Sequence, residues 1–149
     1  MQHLRSGNDV FVRLDEGEEI HASIQSLCVD LSITGAAITS GIGRVREVDF
    51  GYLDEGGTYQ RQVLREAVEL LSVQGNVAML EGKPFTHIHV VTSDDDHVVH
   101  GGHLFSAITL VTGEIHLRIL AEGASMPMTR CKLADSQFVP LQLQQEDSV

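Results

Sequence analysis

The sequence predicts an α+β fold with a mainly antiparallel sheet, and three observations carry that expectation. Short alternating or apolar runs, separated by glycine-bearing turns, recur along most of the chain. A single early stretch carries apolar residues at helical spacing, so one helix has to cover a sheet built by all the rest. The length of 149 residues suits a single domain, 1–149, with enough chain to bury a core unaided.

Val10 to Leu14 alternates and reads as a strand, turning at Asp15 to Gly17. A helix follows: Glu18 and Glu19 suit its first turn, Ile20, Ile24, Leu27, Cys28 and Leu31 share a face, and Thr34-Gly35 ends it. "AAITSGIG" and "RVREVDFGYL" read as two paired strands divided at Gly41 and Gly43, and "DEGG" at 54–57 as a turn. "YQRQVLREAVELLSVQGNVAML" reads as a further strand pair broken at Gln74-Gly75-Asn76. Val63, Leu64, Ala67, Leu70 and Leu71 also fit helical spacing, and periodicity leaves both forms open there. Lys83 and Pro84 interrupt the chain before "FTHIHVVTSD"; an acidic loop, "GGHLFSAITL" and "GEIHLRILAE" complete a set of seven or eight strands. The polar residues at about 141–149 read as a frayed tail.

Composition narrows the function classes. A hydrophobic share of 42% with 21% charged residues is that of a soluble chain, and no run approaches the ~20 apolar residues of a membrane helix. The N-terminal "MQHLRSGNDVF" has no signal-peptide pattern, so a cytoplasmic location is expected, with no membrane contact. Cys28 and Cys131, distant in sequence, read as free thiols. A net charge of -11 repels phosphate backbones, so direct nucleic-acid binding is not expected.

The chemistry concentrates in "KPFTHIHVVTSDDDHVVHGGHLF", residues 83–105, which holds five of the eight histidines. His87 and His89, two apart on a strand, project to one face with Cα atoms about 7 Å apart. His103 follows a loop short enough for an antiparallel hairpin, which would bring its imidazole beside them. Three neutral imidazoles with an open position are the ligand set of catalytic zinc, and imidazole also suits copper, nickel or iron. Half-buried histidines hydrogen-bonded to strand neighbours would give the same pattern, and spacing leaves both readings open. His97 and His100 fall in the loop, while His3, His21 and His116 stand apart. Glu69 sits inside the apolar run "VELLSV" and is a candidate proton-transfer residue, or else a solvent-facing edge carboxylate.

Other motifs are weaker. "GIGRVR" puts Arg46 where a dinucleotide loop needs its third glycine. "SDDDH" spaces Asp94 and Asp96 as calcium-loop ligands, but the glycine is missing and Phe105 occupies the glutamate position. Ser93 and Ser106 lie near histidines without a nucleophile elbow.

"SGIGRVREVDFGY", "VELLSVQGNV", "PFTHIHVVTSDDDHVVHGGHL" and "GEIHLRIL" together resemble the PPC domain family, the plant and prokaryote conserved domain, over a core of about 10–121. The resemblance implies a strongly bent antiparallel sheet with one main flanking helix, a homotrimer, and His87, His89 and His103 as the candidate metal ligands. Glu69 matches an acidic position of the family pattern. Plant members carry AT-hooks; this sequence has no Arg-Gly-Arg-Pro-like hook and resembles the stand-alone prokaryotic type. The expected function is a homotrimer that binds a divalent metal, zinc by its ligands, together with a small molecule or protein partner. The alternatives are a metal-dependent hydrolase or lyase using Glu69, and an assembly module of a DNA-associated complex that does not itself touch DNA.

Overall fold

Strand alternation sets the first layer of a computed structural model that describes residues 1–144. β1 (Gln2–Ser6) pairs antiparallel with β2 (Asp9–Leu14), where Val10, Val12 and Leu14 are fully buried and Phe11 and Arg13 face outward. α1 (Ile20–Asp30) buries Ile20, Ile24, Leu27 and Cys28 against the sheet, as the spacing requires. Glu19 is its N-cap rather than a first-turn residue: the carboxylate accepts a hydrogen bond from Ala22 N at 2.7 Å. The helix ends before Thr34-Gly35, because Ser32 turns the chain at φ 56° and Ile33 already opens the next strand.

The remaining strands are β3 (Ile33–Leu53), β4 (Tyr59–Leu64), β5 (Val68–Leu80), β6 (Lys83–Ser93), β7 (Val99–Glu122), β8 (Met128–Arg130) and β9 (Leu141–Leu143). Three expected breaks are therefore absent: β3 runs straight through Gly41 and Gly43, β5 runs through Gly75, and β7 joins the two segments read as separate strands. Gly43 and Gly75 mark close backbone crossings instead. A Cβ on Gly43 would lie 2.2 Å from Thr112 O, and one on Gly75 would lie 2.0 Å from His87 O. Val68, Leu70 and Val73 are buried while Glu69 and Leu71 are exposed, so pairing with β3 and β6 takes this segment out of the helical alternative.

β7 pairs with β3 through six register shifts, which bend both strands. β5 lies on the other side of β3, β6 lies beside β5, and β6 returns to the start of β7, so these four strands form a closed circuit. Among the described residues every named strand pairing is antiparallel except β5 with β8. Leu141–Leu143, read as part of a frayed tail, instead forms a strand paired with β8; residues 145–149 lie outside the described residues. No described helix is long and apolar enough to cross a membrane. Both cysteines are free, and burial pushes the Cys28 thiol up to about 12.

Candidate metal centre

The β6–β7 hairpin assembles the histidines by register. His89 lies directly opposite His103, and His87, two residues before His89, shares its face. The ring centroids are 4.9 Å to 5.4 Å apart, and each imidazole offers a nitrogen within 4.8 Å of the other two. His87 Nε2 and His89 Nε2 are separated by 3.3 Å. A tetrahedral ion with metal–nitrogen bonds of about 2.0–2.1 Å needs an edge of about 3.3–3.4 Å. The pair therefore has the separation that two ligands of one such ion require.

Burial keeps two of these imidazoles neutral. Desolvation pulls both His87 and His103 down to about 4, helped by their neighbouring imidazoles and by the Arg130 guanidinium. His103 is held flat against Tyr59, at 4.7 Å and 24°, with Phe105 edge-on at 4.9 Å. Its Nδ1 is buried without a hydrogen-bond partner. Neutral imidazoles with spare nitrogens are what a metal ligand set needs, so the residues present fit a divalent ion.

Arg130 joins the centre to its surroundings. Its Nη2 donates to Asn76 Oδ1 at 2.8 Å and to His87 Nδ1 at 3.2 Å. That second bond requires His87 to carry its proton on Nε2. Coordination through Nε2 would move the proton to Nδ1, where Arg130 could no longer donate. Asn76, whose Oδ1 accepts from Arg130, is the cross-strand partner of His87.

Beside the histidines lies a cavity of about 480 Å³ lined by His21, Tyr59, Phe85, Thr86, Arg130 and Phe138 among others. His21, set aside in the sequence for want of clustering, is part of this wall. Its Nε2 donates to Leu104 O at 3.1 Å, and its Nδ1 accepts from the Thr86 hydroxyl at 2.6 Å; that hydroxyl in turn accepts from Gln25 Nε2 at 2.9 Å. Burial lowers the pKa of His21 as well. Helical spacing gave a usable signal for it, since His21 adjoins buried Ile20 and lies four residues before Gln25. Arg130 and Tyr59 gave none, because long-range pairing alone carries them here.

Glu69 is not brought to the centre. Its side chain is 53% exposed and pairs with Arg44 Nη1 at 2.5 Å, its opposite residue on β3. It lies five positions along β5 from Gln74, the residue opposite His89, which is about 17 Å of strand. The alternation that buries Val68 and Leu70 turns the carboxylate outward, so the proton-transfer role read for it has no geometric basis. His97 is exposed, whereas His100 belongs to β7 and bonds Asp94 Oδ2 at 2.8 Å. Asp94 Oδ1 accepts from Asp96 N and Val98 N, so this acidic stretch is organised as its own turn.

Comparison with known proteins agrees with this architecture. The crystal structure of a plant- and prokaryote-conserved (PPC) protein of Pyrococcus horikoshii is 29% identical, with a TM-score of 0.76 over 99% of this chain and 96% of that one. A metal-containing protein of Archaeoglobus fulgidus is 35% identical, with a TM-score of 0.76 over 95% of this chain and 96% of that one. A candidate DNA-binding protein of Bacteroides thetaiotaomicron shares the fold at 21% identity, with a TM-score of 0.85 over 97% of this chain and 98% of that one. No curated protein matches the chain. The family model of the Plants and Prokaryotes Conserved (PCC) domain matches residues 1–121, and the chain belongs to that family.

Proposed function

We propose that this protein is a cytoplasmic homotrimer that binds a divalent metal, zinc by its all-imidazole ligands, through His87, His89 and His103, and receives a small molecule in the adjoining cavity. The observation that carries the metal reading is the 3.3 Å separation of His87 Nε2 and His89 Nε2, with His103 opposite His89 across the hairpin. The metal-containing relative from Archaeoglobus fulgidus supports it. When bound, the ion would supply Lewis acidity at the mouth of the cavity. Beside it, Tyr59 and Phe105 fix the His103 ring.

Self-association has support from a second groove on the sheet. Ile42, Leu71 and Val111 line one open groove and are 55%, 48% and 63% exposed. These exposed apolar side chains, beside the Arg44–Glu69 pair that lines the same groove, suit a second copy of the chain. Free cysteines suit a reducing compartment.

Elemental analysis of untagged protein after gel filtration, beside His89→Ala, tests the metal reading. We expect about one zinc per chain, lost in the variant while its melting curve persists. Zinc-free wild type, after zinc is offered and the excess removed, would overturn it. Sedimentation of a monomer at micromolar concentration would overturn the trimer.

A further inference from the structure

The charge of the cavity is opposite to that of the molecule. The chain carries 21 Asp and Glu against 10 Lys and Arg, yet among the described residues this cavity is lined by Arg61 and Arg130 and by no carboxylate. Arg61 is already answered: it forks onto Asp49, with Nε to Oδ1 at 3.0 Å, and lies 4.0 Å above the Phe105 ring. Arg130 is not answered by any described residue. It is 6% exposed, its polar contacts are Val139 O, Asn76 Oδ1 and His87 Nδ1, all neutral, and its Nε is buried without a partner. A buried guanidinium lacking an anion is costly, and such a charge is retained where a ligand supplies the counter-charge.

The walls describe the rest of that ligand. Three of the five phenylalanines, Phe85, Phe105 and Phe138, and one of the two tyrosines, Tyr59, face the same space. Rings on several sides favour a flat apolar body. The volume, about 480 Å³, is that of a small-molecule site. No lysine lines it, and the amino end of α1 is capped by Glu19. A phosphate would call on several donors or a helix terminus, whereas one uncompensated guanidinium suits a single negative charge.

We propose that this cavity binds a small organic monocarboxylate with a flat, aromatic-like body, its carboxylate held against Arg130 and its body between Phe85, Phe138 and Tyr59. The inference deepens the metal-site reading without depending on it for the charge. The two sites are coupled through His87: a metal held at Nε2 would end the Arg130 to Nδ1 hydrogen bond, which would free a guanidinium donor and add positive charge beside the cavity. The carboxylate therefore binds more tightly to metal-loaded protein.

Fluorine NMR titrations with 4-fluorobenzoate and its neutral counterpart 4-fluorobenzamide test this on zinc-loaded and chelator-treated wild type and on zinc-loaded Arg130→Gln. We expect saturable benzoate binding, at least ~10-fold tighter than benzamide. The preference should survive chelation with benzoate ~5-fold or more weaker, and disappear in Arg130→Gln with its zinc content intact. Benzoate binding no tighter than benzamide on wild type overturns the proposal, whether or not the variant folds, and so does an unchanged preference in folded Arg130→Gln. Zinc uptake without benzoate preference sinks this inference and leaves the metal reading standing. An Arg130-dependent preference in a protein that takes up no zinc does the reverse.

Discussion

Lowering the pH of the metal-free protein from 7 to 5 should destabilise it through the histidine cluster, by an amount the structure fixes. His87 and His103 are held neutral, with pKa about 4 against the ordinary 6.5. The unfolded chain takes up protons as pH falls below about 6.5, while the folded chain refuses them until about 4. Their contribution is complete above that window and is lost progressively as pH falls through it. Linkage over two pH units gives about 2 kcal/mol per histidine, and solvent at this half-open site reduces it to about 1–2 kcal/mol. His21, lowered by burial, acts in the same direction. Asp15, Asp54, Glu81 and Asp94, whose pKa values lie below normal, lose their contribution only below about pH 4.5, outside the pH 7 to 5 range compared. The assay is urea unfolding followed by far-UV circular dichroism on chelator-treated wild type and His103→Gln, at one protein concentration. Wild type should lose about 1–2 kcal/mol more than the variant between pH 7 and 5. Equal losses, or a wild type that gains stability at pH 5, would refute the claim that burial keeps His103 neutral.

Two further substitutions separate scaffold from site. Gly75→Ala should cost about 1–3 kcal/mol and weaken zinc binding, because the added methyl meets His87 O at 2.0 Å; thermal melts and a zinc titration read both effects. Glu69→Gln should leave zinc content unchanged and shift stability by less than about 1 kcal/mol, since it loses only an exposed pair with Arg44, as elemental analysis and urea unfolding will show.

The legible parts of the fold were those with a local period. Ile20, Ile24, Leu27 and Cys28 announced their helix, and Val10, Val12 and Leu14 their strand, because burial on one face writes itself into spacing. The long bent strands were not legible. Gly43 and Gly75 look like turn residues in sequence, and only the partner backbones, Thr112 O and His87 O, show them to be crossings. The histidine cluster was legible because a two-residue spacing and one hairpin bring it together. Arg130 arrives at His87 from a strand 43 positions away, by way of the parallel pairing of β8 with β5, and nothing local records that contact. Glu69 took the solvent-facing of its two readings: a carboxylate within an apolar run can alternate outward, and its neighbours in sequence do not reveal its partner on β3.

The most direct test of the metal centre is the X-ray absorption fine structure at the zinc edge of stoichiometrically loaded protein. Three histidine ligands give a nitrogen and oxygen shell at about 2.0–2.1 Å with the outer-shell scattering of three imidazoles, and His103→Gln loses one of them. A sulfur shell at about 2.3 Å, which would implicate a cysteine, or a shell without imidazole scattering would contradict it.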